Sequence, residues 1–408
     1  MAIKIVYGKY KIHAGNYDWG CGIDKAIITL QEEISSISAQ KIKVIEHKMV
    51  SDESTPNMDL HTERLPRKIT DAYLCDIYGN RIEGPSAHFA IELYVSPTEG
   101  SPFANTTKAG IFHWSTPYEL NISYDGDMIL AIHPSYTQMT TAADMFAKNT
   151  YTTSDGTVYD YASYSPENDS KTLFVWLHGL GEGHHKNSDV YLPLLGHKGT
   201  CLASDKFQNM IGGAHILVPQ CQTYWMDGDG QQSNFVNRLI EADTHSYYTE
   251  SLYEFIMYYA KKIGAEKIAI GGCSNGGYMS VLLAMNYPDK FCAAIPICEA
   301  VPDASISDEQ IKQLAKVPLY FIYSADDPVV IPEVHEIPTI RRLQAAECKD
   351  LHVFEAKEVI DTSGLYKDAL GNPHKYNGHL SWIYFDNNET DDGTGLSAWE
   401  WLGQILTK

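Results

Sequence analysis

The strongest chemical signal in the chain is a serine held between two glycines. Residues 272–276 read Gly-Cys-Ser-Asn-Gly, which fits the pattern Gly-x-Ser-x-Gly. The apolar run before it predicts a strand, and a helix is expected to begin near Gly277. A sharp strand-to-helix turn leaves no room for bulk at positions 272 and 276 and exposes the serine hydroxyl. Ser274 is therefore the candidate nucleophile, and the alternative is a chance match in a glycine-rich turn.

A serine nucleophile needs hydrogen-bond donors for the negative charge that develops on the substrate oxygen. The apolar segment 173–177 predicts a strand that ends in His-Gly-Leu-Gly at 178–181. A glycine-rich loop there lets a backbone N–H face the site. We expect the N–H groups of Leu180 and Asn275 to form an oxyanion hole, the alternative being a loop shaped only by packing.

Two adjacent carboxylates are candidates for the acid that orients the base. The apolar run 319–323 predicts a strand, and Asp326 and Asp327 follow it in Ser-Ala-Asp-Asp-Pro-Val-Val. Open sheets of parallel strands place their sites at the carboxyl ends of the strands. Asp327 is the preferred acid, Asp326 is the competitor, and two turn-forming aspartates before a proline are the alternative without catalysis.

The candidate base is His379, one of sixteen histidines. It lies in Asn-Gly-His-Leu-Ser-Trp at 377–382, after a strand predicted at 351–355 and a long loop. The order serine, aspartate, histidine along the chain is typical of this strand-turn-helix type of hydrolase. His374 is the close competitor, whereas His184 and His185 are expected to line the entrance or to face solvent.

The two parts of the chain predict different secondary structure. Residues 1 to about 140 contain about seven short β-branched and aromatic runs at a spacing typical of a small sandwich, with a tight-hairpin signal at Gly79-Asn80. From about residue 150, predicted strands alternate with helical periodicity, as in Leu252, Phe255 and Ile256. We therefore predict an all-β domain at 1–144 and an α/β domain with a mostly parallel sheet at 145–408.

Five segments together resemble the polyhydroxybutyrate-depolymerase-like esterases, and in particular bacterial two-domain carboxylesterases with an N-terminal immunoglobulin-like domain. They are His-Gly-Leu-Gly-Glu-Gly at 178–183, Pro-Gln-Cys-Gln-Thr-Tyr-Trp at 219–225, the pentapeptide at 272–276, Ala-Asp-Asp-Pro-Val-Val at 325–330 and Gly-His-Leu-Ser-Trp at 378–382. The match covers residues 150–408 by motif and 1–140 only by domain arrangement.

This resemblance implies an α/β-hydrolase fold after an immunoglobulin-like sandwich. It also implies a triad of Ser274, Asp327 and His379 and the hydrolysis of short-chain or aryl esters. Ser324 stands where many relatives carry glycine, a small change that leaves the assignment intact. Trp225, in the loop after the strand predicted at 216–219, is a candidate wall of the substrate pocket, with plain packing as the alternative.

Charge, apolar runs and cysteine spacing disfavour several classes of partner and cofactor. The formal net charge of -21 would repel nucleic acid and anionic membrane surfaces, and no apolar run is long enough to span a bilayer. The eight cysteines show no metal-ligand spacing, so structural zinc is not expected. Catalysis by the serine triad needs neither a metal nor an organic cofactor, so none is expected. Cys201 and Cys221 could pair in an oxidising compartment, but two buried thiols are favoured.

The expected partner is a small-molecule ester, with no prediction of oligomeric state. No secretory signal is recognised, so we expect a secreted or extracellular location if a leader was removed and a cytoplasmic one otherwise. Two other functions remain open: a serine peptidase of the prolyl-oligopeptidase type, which would use the same triad, and a non-catalytic binding protein on a hydrolase scaffold.

Overall fold

The computed structural model describes residues 4–52, 59–105, 112–126, 128–183, 188–231 and 242–408. The chain divides into two units. The N-terminal unit comprises Met1–Asp144 and Leu195–Lys198, and the C-terminal unit comprises Met145–Leu194 and Gly199–Lys408. His184 and His185 lie outside the described residues. In the part of the chain that is described, no helix is both long and apolar enough to cross a bilayer.

The N-terminal unit is built from strands. Its described residues contain β1 Lys4–Tyr17, β2 Gly20–Ile34, β3 Ile42–Ser51, β4 Leu60–Arg67, β5 Ile69–Leu74, β6 Ser86–Leu93, β7 Phe103–Asn105, β8 Phe112–Trp114, β9 Tyr118–Tyr124, β10 Met128–Ile132 and β11 Gln138–Thr141, with a 3-10 turn at Ala39–Lys41. The prediction that this part is β-rich is confirmed. Its immunoglobulin-like identity stays a prediction.

These strands form three sheets. One has the order β10-β1-β2-β6-β5 with β11 also against β1, the second has the order β4-β3-β9, and the third pairs β7 with β8. Neighbours are antiparallel, except that β1 is parallel to β10 and β11. Alternate residues of β1, such as Tyr10, Ile12 and Ala14, are buried, as expected for strands with one face in a core.

The tight turn expected at Gly79-Asn80 is present. Asp76 donates its backbone N–H to the Asn80 carbonyl at 2.9 Å, and Cys75 and Arg81 face each other as a bridge. Gly79 has φ +86°, a conformation that costs glycine little.

The C-terminal unit has one eight-stranded sheet flanked by helices. Its strands are β12 Ala147–Thr152, β13 Val158–Tyr164, β14 Thr172–Leu177, β15 His215–Gln220, β16 Lys267–Cys273, β17 Ala293–Ile297, β18 Leu319–Ser324 and β19 Leu351–Ala356. The sheet order is β12-β13-β15-β14-β16-β17-β18-β19. β13 is antiparallel to both its neighbours. The other six strands, which are β15, β14, β16, β17, β18 and β19 in sheet order, are parallel to one another. The predicted mostly parallel sheet is confirmed.

Helices connect the parallel strands. Those described are α1 Leu192–Leu195, α2 Asp205–Met210, α3 Thr249–Ile263, α4 Asn275–Asn286, α5 Asp308–Leu314, α6 Glu336–Ala345, α7 Trp382–Asp386 and α8 Ala398–Leu406, with 3-10 turns at Leu180–Glu182, Gly199–Ala203, Asp303–Ser305 and Gly378–Leu380. α3 buries Leu252, Phe255 and Ile256 on the face that the sequence predicts. Gly264, at φ +71°, ends it.

The sheet core is apolar on both faces. Every residue of β17 is buried, and so is every residue of β18. Strands enclosed in this way read as continuous apolar runs. Their carboxyl ends meet at one edge of the sheet, which is the edge that carries the candidate catalytic residues.

Candidate active site

Ser274 stands on the turn between β16 and α4. Its backbone has φ 55° and ψ -115°, an unfavourable conformation for a residue with a Cβ. Two hydrogen bonds hold it: the Ser274 N–H donates to the Ile297 carbonyl at 2.8 Å, and the Ser274 carbonyl accepts from Tyr278 N–H at 2.9 Å. The end of the neighbouring strand β17 therefore supports the turn that presents the hydroxyl.

The two glycines of the pentapeptide allow α4 to approach the end of β14. A Cβ on Gly276 would lie 2.0 Å from the Leu177 carbonyl oxygen and 2.7 Å from that of His178. A Cβ on Gly272 would lie 2.5 Å from the Leu177 oxygen. These contacts are with backbone atoms, which cannot swing aside, so a side chain at either position would push the serine turn away from the loop after β14.

We expect Gly276→Ala to lower kcat by about 10- to 100-fold, because displacing a reacting group by about 1 Å can cost that much. It should also destabilise the fold by about 1–3 kcal/mol through overpacking. Thermal unfolding and ester turnover measure the two effects. Gly228→Ala is the matched control, since a Cβ there would meet His245 Nδ1 at 3.9 Å, an ordinary contact. Equal behaviour of the two variants would contradict the packing argument.

His379 bridges the serine and an aspartate. It lies in the 3-10 turn Gly378–Leu380, whose start is capped by the Asn377 side chain, which accepts from the His379 N–H at 3.0 Å. His379 Nε2 lies 2.9 Å from Ser274 Oγ, and Nδ1 lies 2.8 Å from Asp327 Oδ2. An ionised carboxylate only accepts hydrogen bonds, so Nδ1 carries the proton and Nε2 is the acceptor that faces the hydroxyl.

The structure brings Asp327 to the imidazole and turns Asp326 away. Asp327 is buried, and its Oδ1 accepts from the N–H groups of Val329 at 2.7 Å and Val330 at 3.0 Å. Its other oxygen is thereby directed at His379. The carboxylate is fixed by three hydrogen bonds, and this fixes the imidazole in turn.

Asp326 has separate partners. Its Oδ1 accepts from Ser324 Oγ at 2.7 Å, and its Oδ2 lies 2.9 Å from Lys375 Nζ. Burial raises the pKa of the Asp326 carboxyl, but the hydrogen bonds from Lys375 and Ser324 outweigh burial and lower the pKa below its ordinary value. Asp326 is therefore a charged partner of Lys375, whereas Asp327 is the partner of His379.

The predicted oxyanion residues begin two short helical segments. Leu180 is the first residue of the 3-10 turn after β14, and Asn275 is the first residue of α4. The N–H groups at the start of a helix have no partner within it, so they are available to a ligand. A Cβ on Gly179 would lie 3.9 Å from the Cys273 oxygen, which shows how closely the two segments approach.

Comparisons with known proteins agree with this architecture. Residues 161–359 match a family model described as phospholipase/carboxylesterase. The crystal structure of a thermostable esterase matches with a TM-score of 0.69 and 20% identity, over 93% of this chain and 96% of that chain. The C-terminal unit has the α/β-hydrolase fold. The match of the family model further supports a hydrolase.

Two more solved structures show weaker likenesses. Pyrococcus horikoshii acylaminoacyl peptidase matches with a TM-score of 0.42 and 14% identity, over 93% of this chain and 69% of that chain. Est1E from Butyrivibrio proteoclasticus matches with a TM-score of 0.35 and 13% identity, over 51% of this chain and 87% of that chain. A search of curated protein sequences found no significant match.

Within the α/β-hydrolase unit, two buried side chains tie the loops of the site together. Cys221 donates its backbone N–H to His178 Nε2 at 3.0 Å, which links the loops after β15 and β14. The Asn275 side-chain oxygen accepts from the Trp225 N–H at 2.6 Å. The sequence analysis did not predict these roles of His178 and Asn275. A hydrogen bond between a side chain and a distant backbone group leaves no periodic pattern in the sequence.

Trp225 lies beneath the site. Its ring is fully buried, at 0% exposure, and it packs against His178, Tyr159 and Tyr248. A side chain with no accessible surface lines no open pocket, so the prediction of a substrate-contacting wall does not fit its position. The alternative of plain packing does, since the aromatic cluster between the sheet and α3 is where the ring is desolvated.

The remaining sequence candidates have contacts of other kinds. His374 packs edge-on against Tyr376, with ring centroids 4.8 Å apart. Cys201 and Cys221 are buried and are not joined by a disulfide. Cys201 Sγ donates to Asp386 Oδ1 at 3.7 Å. Both match the expectation of buried thiols.

Cys298 is an unanticipated neighbour of the site. Its Sγ and the ligand atoms of Asp327 and His379 all lie within 4.8 Å of one another. Burial raises the pKa of the Cys298 thiol well above its ordinary value, so the thiol is protonated at neutral pH. A protonated thiol is a poor metal ligand, and the imidazole and carboxylate already bind each other.

Proposed function

We propose that the chain is a serine carboxylesterase in which Ser274 is the nucleophile, His379 the general base and Asp327 the residue that orients it. The observation that carries the proposal is the unbroken sequence of hydrogen-bond distances through His379. Its Nε2 lies 2.9 Å from Ser274 Oγ and its Nδ1 lies 2.8 Å from Asp327 Oδ2. These are the distances at which a proton can pass from the hydroxyl to the imidazole.

In the acylation step, His379 Nε2 takes the Ser274 proton as Oγ attacks the ester carbonyl carbon. The carbonyl oxygen becomes an oxyanion, which accepts hydrogen bonds from the N–H groups of Leu180 and Asn275. Asp327 stabilises the imidazolium that forms. The tetrahedral intermediate then expels the alcohol, which leaves with the proton from Nε2, and an acyl-enzyme remains.

Deacylation repeats the same steps with water as the nucleophile. His379 takes a proton from water as its oxygen attacks the acyl carbon, and the second tetrahedral intermediate is bound by the same two N–H groups. Its collapse returns the proton to Ser274 Oγ and releases the carboxylic acid. The chain's own side chains and water handle every proton, so the reaction as proposed uses no cofactor.

Ester substrates are supported by the comparisons. The family model that matches residues 161–359 is described as phospholipase/carboxylesterase, and the solved structure with a TM-score of 0.69 is an esterase. The resemblance to the polyhydroxybutyrate-depolymerase-like esterases adds short-chain or aryl esters as the substrate class. All the proposed catalytic groups lie between residues 180 and 379, and we assign the chemistry to residues 145–408.

Amide hydrolysis is the competing activity, because the same triad can cleave peptides. Turnover of aryl acetates compared with peptide anilides separates the two, and we expect turnover of the acetates alone. A fluorophosphonate that labels Ser274, located by peptide mapping, tests the shared nucleophile. Labelling with rapid anilide turnover would assign a peptidase, and failure to label would favour a non-catalytic binding protein.

A further inference from the structure

A cavity apart from the proposed triad lies within the C-terminal unit. It has a volume of about 670 Å³ and is lined by Asp155, Gly228 and residues 244–247, 249–250 and 286–287. This volume falls within the range of about 300–1,000 Å³ that is usual for small-molecule sites. Ser274 immediately precedes α4 and Asn286 ends it, so about 18 Å of helix separate the nucleophile from this wall of the cavity.

Tyr247 supplies one aromatic wall of the cavity, and it is 49% exposed. A Cβ on Gly230 would lie 2.8 Å from two of its ring carbons, so the ring packs closely against the Gly230 backbone. The buried ring of Tyr248 meets it edge-on, with centroids 5.1 Å apart, and the Tyr247 N–H donates to the Asp227 carbonyl at 2.8 Å. The ring is therefore held in place while part of its surface stays accessible to a ligand.

Tyr287 supplies a second fixed ring. It stacks on Tyr253 of α3, with ring centroids 3.7 Å apart and an angle of 9° between the ring planes. Burial and the nearby charge of Glu250 raise the pKa of the Tyr287 hydroxyl, so this group is a hydrogen-bond donor at neutral pH. Glu250 belongs to α3 and Asn286 to α4, so polar side chains from two helices line the cavity together with this ring.

The segment 244–246, which also lines the cavity, is anchored through its backbone. The Tyr278 hydroxyl donates to the His245 carbonyl at 2.8 Å. The Ser246 carbonyl accepts from the Thr249 N–H at 3.3 Å and from the Thr249 hydroxyl at 3.1 Å. These bonds tie the segment to α4 on one side and to the start of α3 on the other. A wall that is fixed before the ligand arrives loses little conformational freedom on binding.

The lining combines apolar rings with polar groups of both kinds. The tyrosine rings offer flat apolar surface, and the carboxylates of Asp155 and Glu250 accept hydrogen bonds. The Asn286 amide and the His245 imidazole can donate as well as accept. A sugar ring matches this combination, because its C–H faces are apolar and the hydroxyl groups around its edge both donate and accept.

We propose that this cavity binds a carbohydrate, with a sugar ring stacked on Tyr247 and its hydroxyl groups hydrogen-bonded to Asp155, Glu250 and Asn286. A small organic cation is the other ligand that tyrosine rings and carboxylates recognise. A cation would use the rings and the acceptors alone, whereas the Asn286 amide and the Tyr287 hydroxyl add donors that need acceptor atoms on the ligand. The inference goes beyond the proposed function, because binding in this cavity does not involve the Ser274 hydroxyl.

The test measures binding to the full chain by isothermal titration calorimetry. The probes are cellobiose, xylobiose, maltose and N,N′-diacetylchitobiose, with tetramethylammonium chloride as the cationic probe. Tyr247→Ala removes the proposed stacking ring, Tyr247→Phe keeps it, and Asn286→Ala removes the amide. Tyr258→Ala is the matched control, since Tyr258 is a tyrosine of α3 with 44% exposure that stacks on Tyr151 at 4.3 Å and does not line the cavity.

We expect at least one of the disaccharides to bind the wild type and tetramethylammonium not to bind. Tyr247→Ala should weaken sugar binding about tenfold or more, because the stacking surface is lost. Asn286→Ala should weaken it about three- to tenfold through lost hydrogen bonds, and Tyr247→Phe by less than about threefold. Tyr258→Ala should bind the sugar as the wild type does.

Three results would each overturn the carbohydrate site: no binding of any disaccharide, binding of tetramethylammonium alone, or equal sugar affinity in the wild type, Tyr247→Ala and Asn286→Ala. If Tyr247→Ala fails to fold, Asn286→Ala decides. The calorimetric readout does not need ester turnover, so a wild type that is inactive on esters refutes the proposed function while leaving this test intact.

Discussion

Ser274→Ala should abolish fluorophosphonate labelling and lower kcat for esters by about 10^4 or more, with the fold preserved. The change removes the one oxygen that His379 Nε2 faces at 2.9 Å. Alanine carries the same Cβ as serine, so the unfavourable φ of 55° is no more strained than before. The hydrogen bond from residue 274 to the Ile297 carbonyl involves only backbone atoms and remains.

A second serine in α4 provides the control. Ser280 is buried like the active-site turn, and its Oγ donates to the Gly277 carbonyl at 2.8 Å. The Ser280→Ala variant should be labelled by the fluorophosphonate and should turn over ester at close to the wild-type rate, while its unfolding temperature falls slightly. Thermal unfolding of all three proteins shows whether the loss in Ser274→Ala is chemical. Near-normal turnover by a folded Ser274→Ala would remove Ser274 from the mechanism.

The parallel strands could be predicted because burial on both faces makes them continuously apolar. The run 173–177 is predicted as a strand and forms all but the first residue of β14, Thr172–Leu177. The run 319–323 ends one residue before β18 does. The carboxyl ends of such strands share one sheet edge, and this places residues after β16 and β18 near each other without any knowledge of helix packing.

The antiparallel edge of the same sheet could not be predicted in this way. β12, Ala147–Thr152, is almost wholly exposed, and its neighbour β13, Val158–Tyr164, mixes buried and half-buried positions. Neither gives a continuous apolar run or a strict alternation. Their strand structure comes from pairing with β15 and with each other, which is a tertiary effect that local sequence does not specify.

Parts of the site also depend on tertiary packing alone. Glu336 reads as an ordinary acidic residue in the first turn of a helix, where a negative charge is usually exposed and favourable. Glu336 is nevertheless buried, at 1% exposure, and tertiary packing rather than local sequence decides this. Trp225 is a residue that the sequence suggests lines the pocket and that the structure buries. A tryptophan in a loop next to the site has no sequence feature that separates a pocket wall from a core position.

The two adjacent aspartates are the sharpest test of the site, because the same substitution at neighbouring positions should have very different effects. Asp327→Asn should lower kcat at neutral pH by about 10^3 to 10^4, the scale expected when the carboxylate of a serine triad becomes an amide. The asparagine amide can donate to His379 Nδ1. This favours the tautomer whose Nε2 carries the proton, and that nitrogen can no longer accept from Ser274.

Asp326→Asn should cost less than about tenfold, equivalent to about 1.4 kcal/mol of barrier. This change weakens the ion pair with Lys375, whose Nζ lies 2.9 Å from Asp326 Oδ2 and 3.0 Å from Glu358 Oε2. Glu358 remains to partner the lysine. Such partly exposed ion pairs contribute about 0–1 kcal/mol to stability, so the turn that carries Asp327 should stay in place.

Both variants should be measured on one activated ester from pH 6 to 9. The loss in Asp327→Asn should shrink as the pH rises, because hydroxide can replace the impaired base in attacking the ester, whereas Asp326→Asn should follow the wild-type profile. The N–H groups of Val329 and Val330 can still donate to the side-chain oxygen of an asparagine at position 327, so the fold of this turn should survive. A severe loss in Asp326→Asn with little loss in Asp327→Asn would reverse the assignment, and it would require the turn after β18 to rotate so that Asp326 replaces Asp327 at His379.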